Sequence, residues 1–329
     1  MIRLAIDAMG GDHAPTEVVK GAVRAAKELP IEIILVGDEA RIKKELKALH
    51  APATITTAKA TQVIGMNESP MQALKQKKDA SVVVAVNLVK DKKADGIVSA
   101  GNTGALMAAA LFGLGRIKGI ERPAIATVFP TETGSVLLLD MGANVDCKPS
   151  HLRQFGLMGS LYAEHVMHIS RPRVGLINIG EEREKGNELT REAWPLLKDS
   201  PINFIGNVES KEVMSGGVDV VVCDGFVGNL ILKFSESVAY AIINMLKKEL
   251  KKSFTSKLGA FMMMPALSSF RKSVDYNEFG GAPLLGLNGV CFKAHGRAKS
   301  QAIASAIREA YEAVRENLVD VISKVEVHA

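Results

Sequence analysis

Aromatic and thiol side chains are scarce in this chain: of 329 residues, 5% are aromatic, one is tryptophan and three are cysteine. Cys147, Cys223 and Cys291 are far apart and odd in number. They show neither metal-knuckle spacing nor a disulfide framework, which points to a reducing cytoplasm. No HExxH or HxxxH pair occurs, so a catalytic zinc is not expected, and neither is any other metal or cofactor. The opening MIRLAIDAMGG is too short an apolar run for a signal peptide. No uninterrupted apolar stretch reaches the ~20 residues of a membrane span. The P-loop pattern GxxxxGK[ST] is missing, and no GxGxxG follows the first apolar run, so a nucleoside triphosphate or a dinucleotide has little support. Repeats, low-complexity tracts and linkers rich in Pro, Gly or Ser are also missing. The expectation is therefore a single continuous domain over 1–329.

What is present is a 47% hydrophobic composition, ample for a large core, and a formal net charge of +5. That charge is too small for a nucleic-acid-coating polycation, and no nucleic-acid partner is expected. It favours acidic partners: phosphate, an acidic carrier protein or an anionic membrane face. Short β-rich runs alternate with helical periodicity, the pattern of a mostly parallel sheet covered by helices. The expected strands are Arg3–Asp7, Ile31–Val36, Gly96–Ser99, Ile125–Phe129, Ser135–Asp140, Arg173–Ile179, Ile202–Gly206 and Val218–Val222. Helical patterns cover Thr16–Leu29, Ala80–Lys90, Pro149–His168 and Leu189–Lys198.

Five of these strands end in polar, glycine-containing turns: DAMGGDHAP, SAGNTGA, DMGANVDCKP, NIGEEREKGNE and CDGFVGN. Ligands of open α/β sheets bind beyond strand carboxyl ends, so the five turns are expected to converge on one polar site. SAGNTGA reads both as a plain strand–helix turn and as a place where N–H groups approach a phosphate. Lys185 suits a phosphate or a developing oxyanion, although a solvated face is the plainer reading of its loop. Asn229 fits either a polar site or a helix cap. His13 can cap a helix, bond a phosphate or act as an acid–base group, and His295 in KAHGRAK can join an anion site. Cys223 ends a strand beside a turn, but the sequence offers no base to activate it.

The last third turns helical. Asn229–Lys252 reads as a long helix, Phe254–Phe270 as a second, and Ala298 to about Val325 as one final stripe for core packing or a subunit contact. KLGAFMMMPALSSF, flanked by lysines and arginines, reads as part of a helical hairpin over 238–273. Leu258, Phe261, Met262 and Met263 would touch an anionic membrane or a partner, an ordinary core hairpin being the alternative.

Taken in order, AIDAMGGDHAP, SAGNTGALM, DMGANVDCKP, EKGNELT, CDGFVGN and KAHG resemble the bacterial phosphate acyltransferases of phospholipid synthesis, over nearly the whole chain. The resemblance implies an α/β fold: a three-layer α/β/α sandwich like the isocitrate and isopropylmalate dehydrogenases and the phosphotransacetylases, with a protruding C-terminal helical hairpin. It also implies a homodimer that is cytoplasmic and peripheral to the membrane. The reaction it implies moves a fatty acyl group from acyl carrier protein to inorganic phosphate. The acyl phosphate product would serve a membrane-bound glycerol-3-phosphate acyltransferase. On that reading, backbone amides of Gly10, Gly11, Asn102 and Thr103 cradle phosphate, His13 and Lys185 contact it, and Asn229 orients phosphate or the thioester carbonyl. Asp7 and Asp12 brace the turn. Rival readings are an acyl-CoA:phosphate transferase, a hydroxyacid dehydrogenase on the related fold, and a non-catalytic membrane-surface scaffold.

Overall fold

The computed structural model describes residues 1–250 and 280–328, together with 252, 256, 259 and 262–264. Eleven strands form one sheet: β1 (Ile2–Asp7), β2 (Ile31–Gly37), β3 (Ile55–Lys59), β4 (Gly96–Ser99), β5 (Ala124–Pro130), β6 (Ser135–Leu139), β7 (Arg173–Ile177), β8 (Asn203–Val208), β9 (Val220–Val222), β10 (Ala282–Leu285) and β11 (Val290–Lys293). The described helices are α1 (Thr16–Glu28), α2 (Glu39–Ala48), α3 (Pro70–Gln76), α4 (Ser81–Lys90), α5 (Thr103–Gly113), α6 (Pro149–His165), α7 (Glu188–Lys198), α8 (Ser210–Ser215), α9 (Gly225–Leu250), α10 (Ser300–Arg315) and α11 (Leu318–His328).

Alternation along β1 shows how the layers form. Leu4 and Ile6 enter one apolar cluster with residues of α1, α6, α7 and α10, while Ala5 enters a second with residues of α4 and α5. A strand buried on both faces must be apolar at successive positions, as the VVV of β9 is. Each fully buried Ile or Leu contributes about 1.5–3 kcal/mol, which makes these two clusters the main source of cohesion. The final stripe is core: Ile303 and Ile307 of α10 are buried, and α10 packs on α1 so closely that a Cβ on Gly21 would lie 2.6 Å from Ile303. The single helix expected over Ala298–Val325 is two helices. Asn317, at φ 51°, turns the backbone left-handed and ends the first of them.

The strand order is β3-β2-β1-β4-β11-β10-β5-β6-β9-β7-β8. Strands β1 to β4 and β11 run parallel, and β5 shares their direction because β5 and β11 both pair antiparallel with β10. Strand β6 runs against β5, and β9, β7 and β8 follow β6. The carboxyl ends of β1, β4 and β11 therefore point opposite to those of β6, β7 and β9. This corrects the expectation of one shared carboxyl edge for the five turns: they fall into two groups. Strands β3, β10 and β11 were not expected from the sequence, and the antiparallel pairing of β5 with β6 supplies the reversal.

Candidate active site

The first group is built on Asp7. Its Oδ2 accepts a hydrogen bond from Ser99 Oγ at 2.6 Å, and its Oδ1 accepts the Met9 N–H at 3.3 Å. Ser99 Oγ in turn accepts the Gly101 N–H at 3.0 Å, so the ends of β1 and β4 are stitched together. A Cβ on Gly10 would stand 2.5 Å from Asp7 Oδ2 and 2.7 Å from Gly101 N, which excludes any side chain there. Gly11, at φ 101°, takes the left-handed turn that follows. The Asp12 N–H donates to Gly296 O at 2.8 Å, tying DAMGGDHAP to KAHG, and the His13 side chain stands exposed on the turn.

Asn102 caps α5, its Oδ1 accepting the Ala105 N–H at 3.0 Å. Its Nδ2 donates to the carbonyls of Gly65, Met66 and Glu68, so the side chain is committed to structure. Thr103 opens the helix, where N–H groups lack intrahelical acceptors and the dipole favours an anion.

Lys293 joins this corner with little to mark it in the sequence. It ends β11 in register with Ser99, is 8% exposed, and contacts the Ala294 carbonyl through Nζ. Burial pulls its ammonium down to about 8 against the opposing pull of Asp7 and Asp12, and burial pushes the Asp7 carboxyl up. A lysine closing the apolar run VCF was the only signal available. Burial first, then the Lys293 charge, pulls the His295 imidazole down.

The second group is built on Asp140, which is fully buried. Its Oδ1 accepts the N–H groups of Ile125 and Ala143, and its Oδ2 those of Asn144, backbone and side chain, at 2.6–3.1 Å. This turn receives α9 at very close range. A Cβ on Gly228 would lie 2.0 Å from Asp140 O, and one on Gly225 2.6 Å from Asn144 O. Asp224 caps α9 by accepting the Val227 N–H at 2.8 Å. Asn229 is therefore not the cap; it stands exposed in the second turn, its Cβ and Cγ 3.4 Å from where a Cβ of Gly142 would sit. Lys185 is exposed in the loop between β7 and α7. That loop is held by Asn178 Nδ2 donating to Lys185 O at 3.1 Å and by Gly186 at φ 95°. No ion pair among the described residues engages Lys185.

Helix α9 links the groups. Lys233 and Glu236, one and two turns beyond Asn229, lie within electrostatic reach of His295. The thiols offer no nucleophile: burial pushes Cys147 and Cys291 up to about 12 and Cys223 well above its usual value. The apolar membrane-contact candidates divide. Met262 and Met263 are exposed, whereas Leu258 and Phe261, with most of Phe254–Phe270 and of the hairpin's second arm, lie outside the described residues. Helix α9 is long and apolar enough to cross a membrane by length and composition, although Lys233 and Glu236 interrupt it.

The fold is that of the phosphotransacetylases. A phosphotransacetylase from Streptococcus pyogenes superposes with a TM-score of 0.67 at 15% identity, covering 96% of this chain and 94% of its own. A putative 4-hydroxythreonine-4-phosphate dehydrogenase from Salmonella typhimurium does so at 0.54 and 15%, covering 95% and 99%. Closer in sequence, a family model described as "Fatty acid synthesis protein" matches residues 2–321. A protein named phosphate acyltransferase from Heliobacterium modesticaldum is 54% identical over 98% of this chain and 97% of its own length. One from Desulfitobacterium hafniense (strain DSM 10664 / DCB-2) is 52% identical over the same shares. The chain belongs to this family, the phosphate acyltransferases, and is an acyltransferase enzyme.

Proposed function

We propose that this enzyme transfers a fatty acyl group from acyl carrier protein to inorganic phosphate, with phosphate attacking the thioester directly. Neutral phosphate is largely a dianion and already nucleophilic. A phosphate oxygen adds to the carbonyl carbon, the tetrahedral oxyanion collapses, the C–S bond breaks, and the thiolate leaves with the electron pair and takes a proton from water. That thiol has an ordinary pKa near ~8.5, so little acid assistance is needed. Holding the two reactants together supplies ~7–11 kcal/mol and an oxyanion donor about 3 kcal/mol.

The observation that carries the reading is the side-chain-free corner of Gly10 and Gly11 beside the N-terminus of α5, with Lys293 buried behind it. Backbone N–H groups of Gly10, Gly11, Asn102 and Thr103 hold phosphate there, with His13 and Lys185 as its contacts. Asn229 orients phosphate or the thioester carbonyl, while Asp7 and Asp12 brace the turn. What supports a single site is the path of α9 from Asn229 toward His295. The raised thiols support direct attack over a cysteinyl intermediate.

Acyl phosphate would pass to a membrane-bound acyltransferase that acylates glycerol 3-phosphate. The chain acts as one continuous catalytic unit, cytoplasmic and peripheral to the membrane. A second copy covers the apolar face of α9, and Met262 and Met263, which follow Lys247, Lys248 and Lys252 closely in the sequence, reach an anionic leaflet. The test is phosphate-dependent formation of acyl phosphate from purified acyl carrier protein thioester, compared with the CoA thioester. Faster turnover of the carrier thioester is expected. A preference for CoA would replace the donor, and no acyl phosphate from either would sink the reading.

A further inference from the structure

A cavity of about 590 Å³ opens between the end of α5, the loop 116–123 and the first turn of α6, beside the Asp140 turn, with which it shares Lys148. Arg116, Arg122 and Lys148 line it against one carboxylate, Glu121. That carboxylate is held to one side by His151, which is buried at the cavity wall. His151 Nδ1 accepts the Lys148 N–H at 3.1 Å, so the neutral ring keeps its proton on Nε2 and donates it to Glu121 Oε2, also at 3.1 Å. Arg116 is fixed to the wall by donating to the Glu121 carbonyl. No ion pair among the described residues engages Arg122 or Lys148, although the Lys148 charge acts on Glu121, so three cations face one carboxylate and the wall is net positive. The first turn of α6 adds the positive end of a 17-residue helix.

The cavity is coupled to the second group of site residues through three contacts. Pro123, in its wall, gives its carbonyl to Asn144 Nδ2 at 2.8 Å. The Asn144 carbonyl accepts the Gly225 N–H at the start of α9 at 2.8 Å, and Gly142 of the same turn lies under Asn229. A ligand reaching from Asn229 into this cavity needs an anionic far end.

We infer that the cavity is the subsite for the phosphate of the phosphopantetheine arm that carries the acyl thioester. This rests on the proposed reaction and deepens it. Carrier protein and CoA both place such a phosphate at the far end of the arm from the thioester. The net positive wall suits an anionic phosphate, and 590 Å³ lies within the usual range for ligand sites. Contacts that hold the arm equally in the ground and transition states set KM and leave kcat unchanged, and the subsite is read as of that kind.

The experiment compares fatty acyl thioesters of phosphopantetheine and of pantetheine, which lacks the phosphate, in wild type and in an Arg122→Met/Lys148→Met variant. Wild type is expected to show a KM about tenfold lower for the phosphorylated arm, and the variant to lose that difference with kcat retained. An Arg122→Lys/Lys148→Arg variant should keep the difference. Equal KM values in wild type, or a difference that survives in the methionine variant, would overturn the subsite. Repeating the comparison with carrier protein and CoA thioesters shows which source uses it. Calorimetric titration with free phosphopantetheine gives a readout independent of turnover. Binding by wild type and loss of it in the methionine variant support the subsite even if no acyl phosphate forms, and absent or unaltered binding overturns it.

Discussion

Asp7 and Lys293 bury opposite charges on either side of Ser99, and each is shifted toward its neutral form by burial. Lysine at about 8 in the folded chain compares with 10.5 when exposed. Between those values the unfolded chain binds the proton and the folded chain does not, so stability contributed at this position rises with pH through that window and is flat below it. A melting-temperature series should show wild type gaining on Lys293→Met between pH 8 and 10.5; parallel curves would contradict this. Lys185 has a different character, exposed and without an ion pair among the described residues. Lys185→Ala is expected to lower kcat roughly 100-fold with an unchanged melting temperature, as for loss of one oxyanion donor. Full retained activity would remove Lys185 from the mechanism.

At the level of elements, the decisive contact is the seating of α9 on the Asp140 turn. Glycines at 225 and 228 are required because carbonyl oxygens occupy the space a Cβ would take. Gly228→Ala must push α9 outward and carry Asn229 with it. An overpacking cost of about 1–3 kcal/mol in urea unfolding is expected, with reduced acyl-phosphate formation. An unchanged unfolding midpoint would show that the turn yields. The sequence marked CDGFVGN as a site turn but began the helix at Asn229. Asp224 and the glycines looked like loop residues, and only their tight seating on Asp140 makes Gly225–Gly228 the first turn of a helix. Strands β10 and β11 escaped notice because the glycines and Pro283 of GGAPLLGLNGV interrupt the apolar pattern as turns do.

Across the whole molecule, the sheet reverses direction near its middle, and α9 carries an uncovered apolar face. Phe234 is 68% exposed and Met245 67%. Such a face on a helix of 26 residues is expected to be covered by another copy in solution. Phe234→Asp with Met245→Asp should convert the sedimenting species from dimer to monomer. A wild-type monomer, or a dimer in the variant, would assign that face to something else.

Local pattern determined the layered α/β class, most strand positions, the glycine turns and the family, because alternation and turn chemistry are written in neighbouring residues. Tertiary structure alone decided that the five turns point two ways, since strand direction depends on pairings between distant segments. It also placed Lys293 behind the glycine corner and opened the cationic cavity beside α6. Those features depend on which residues, far apart in the chain, come to share a buried space.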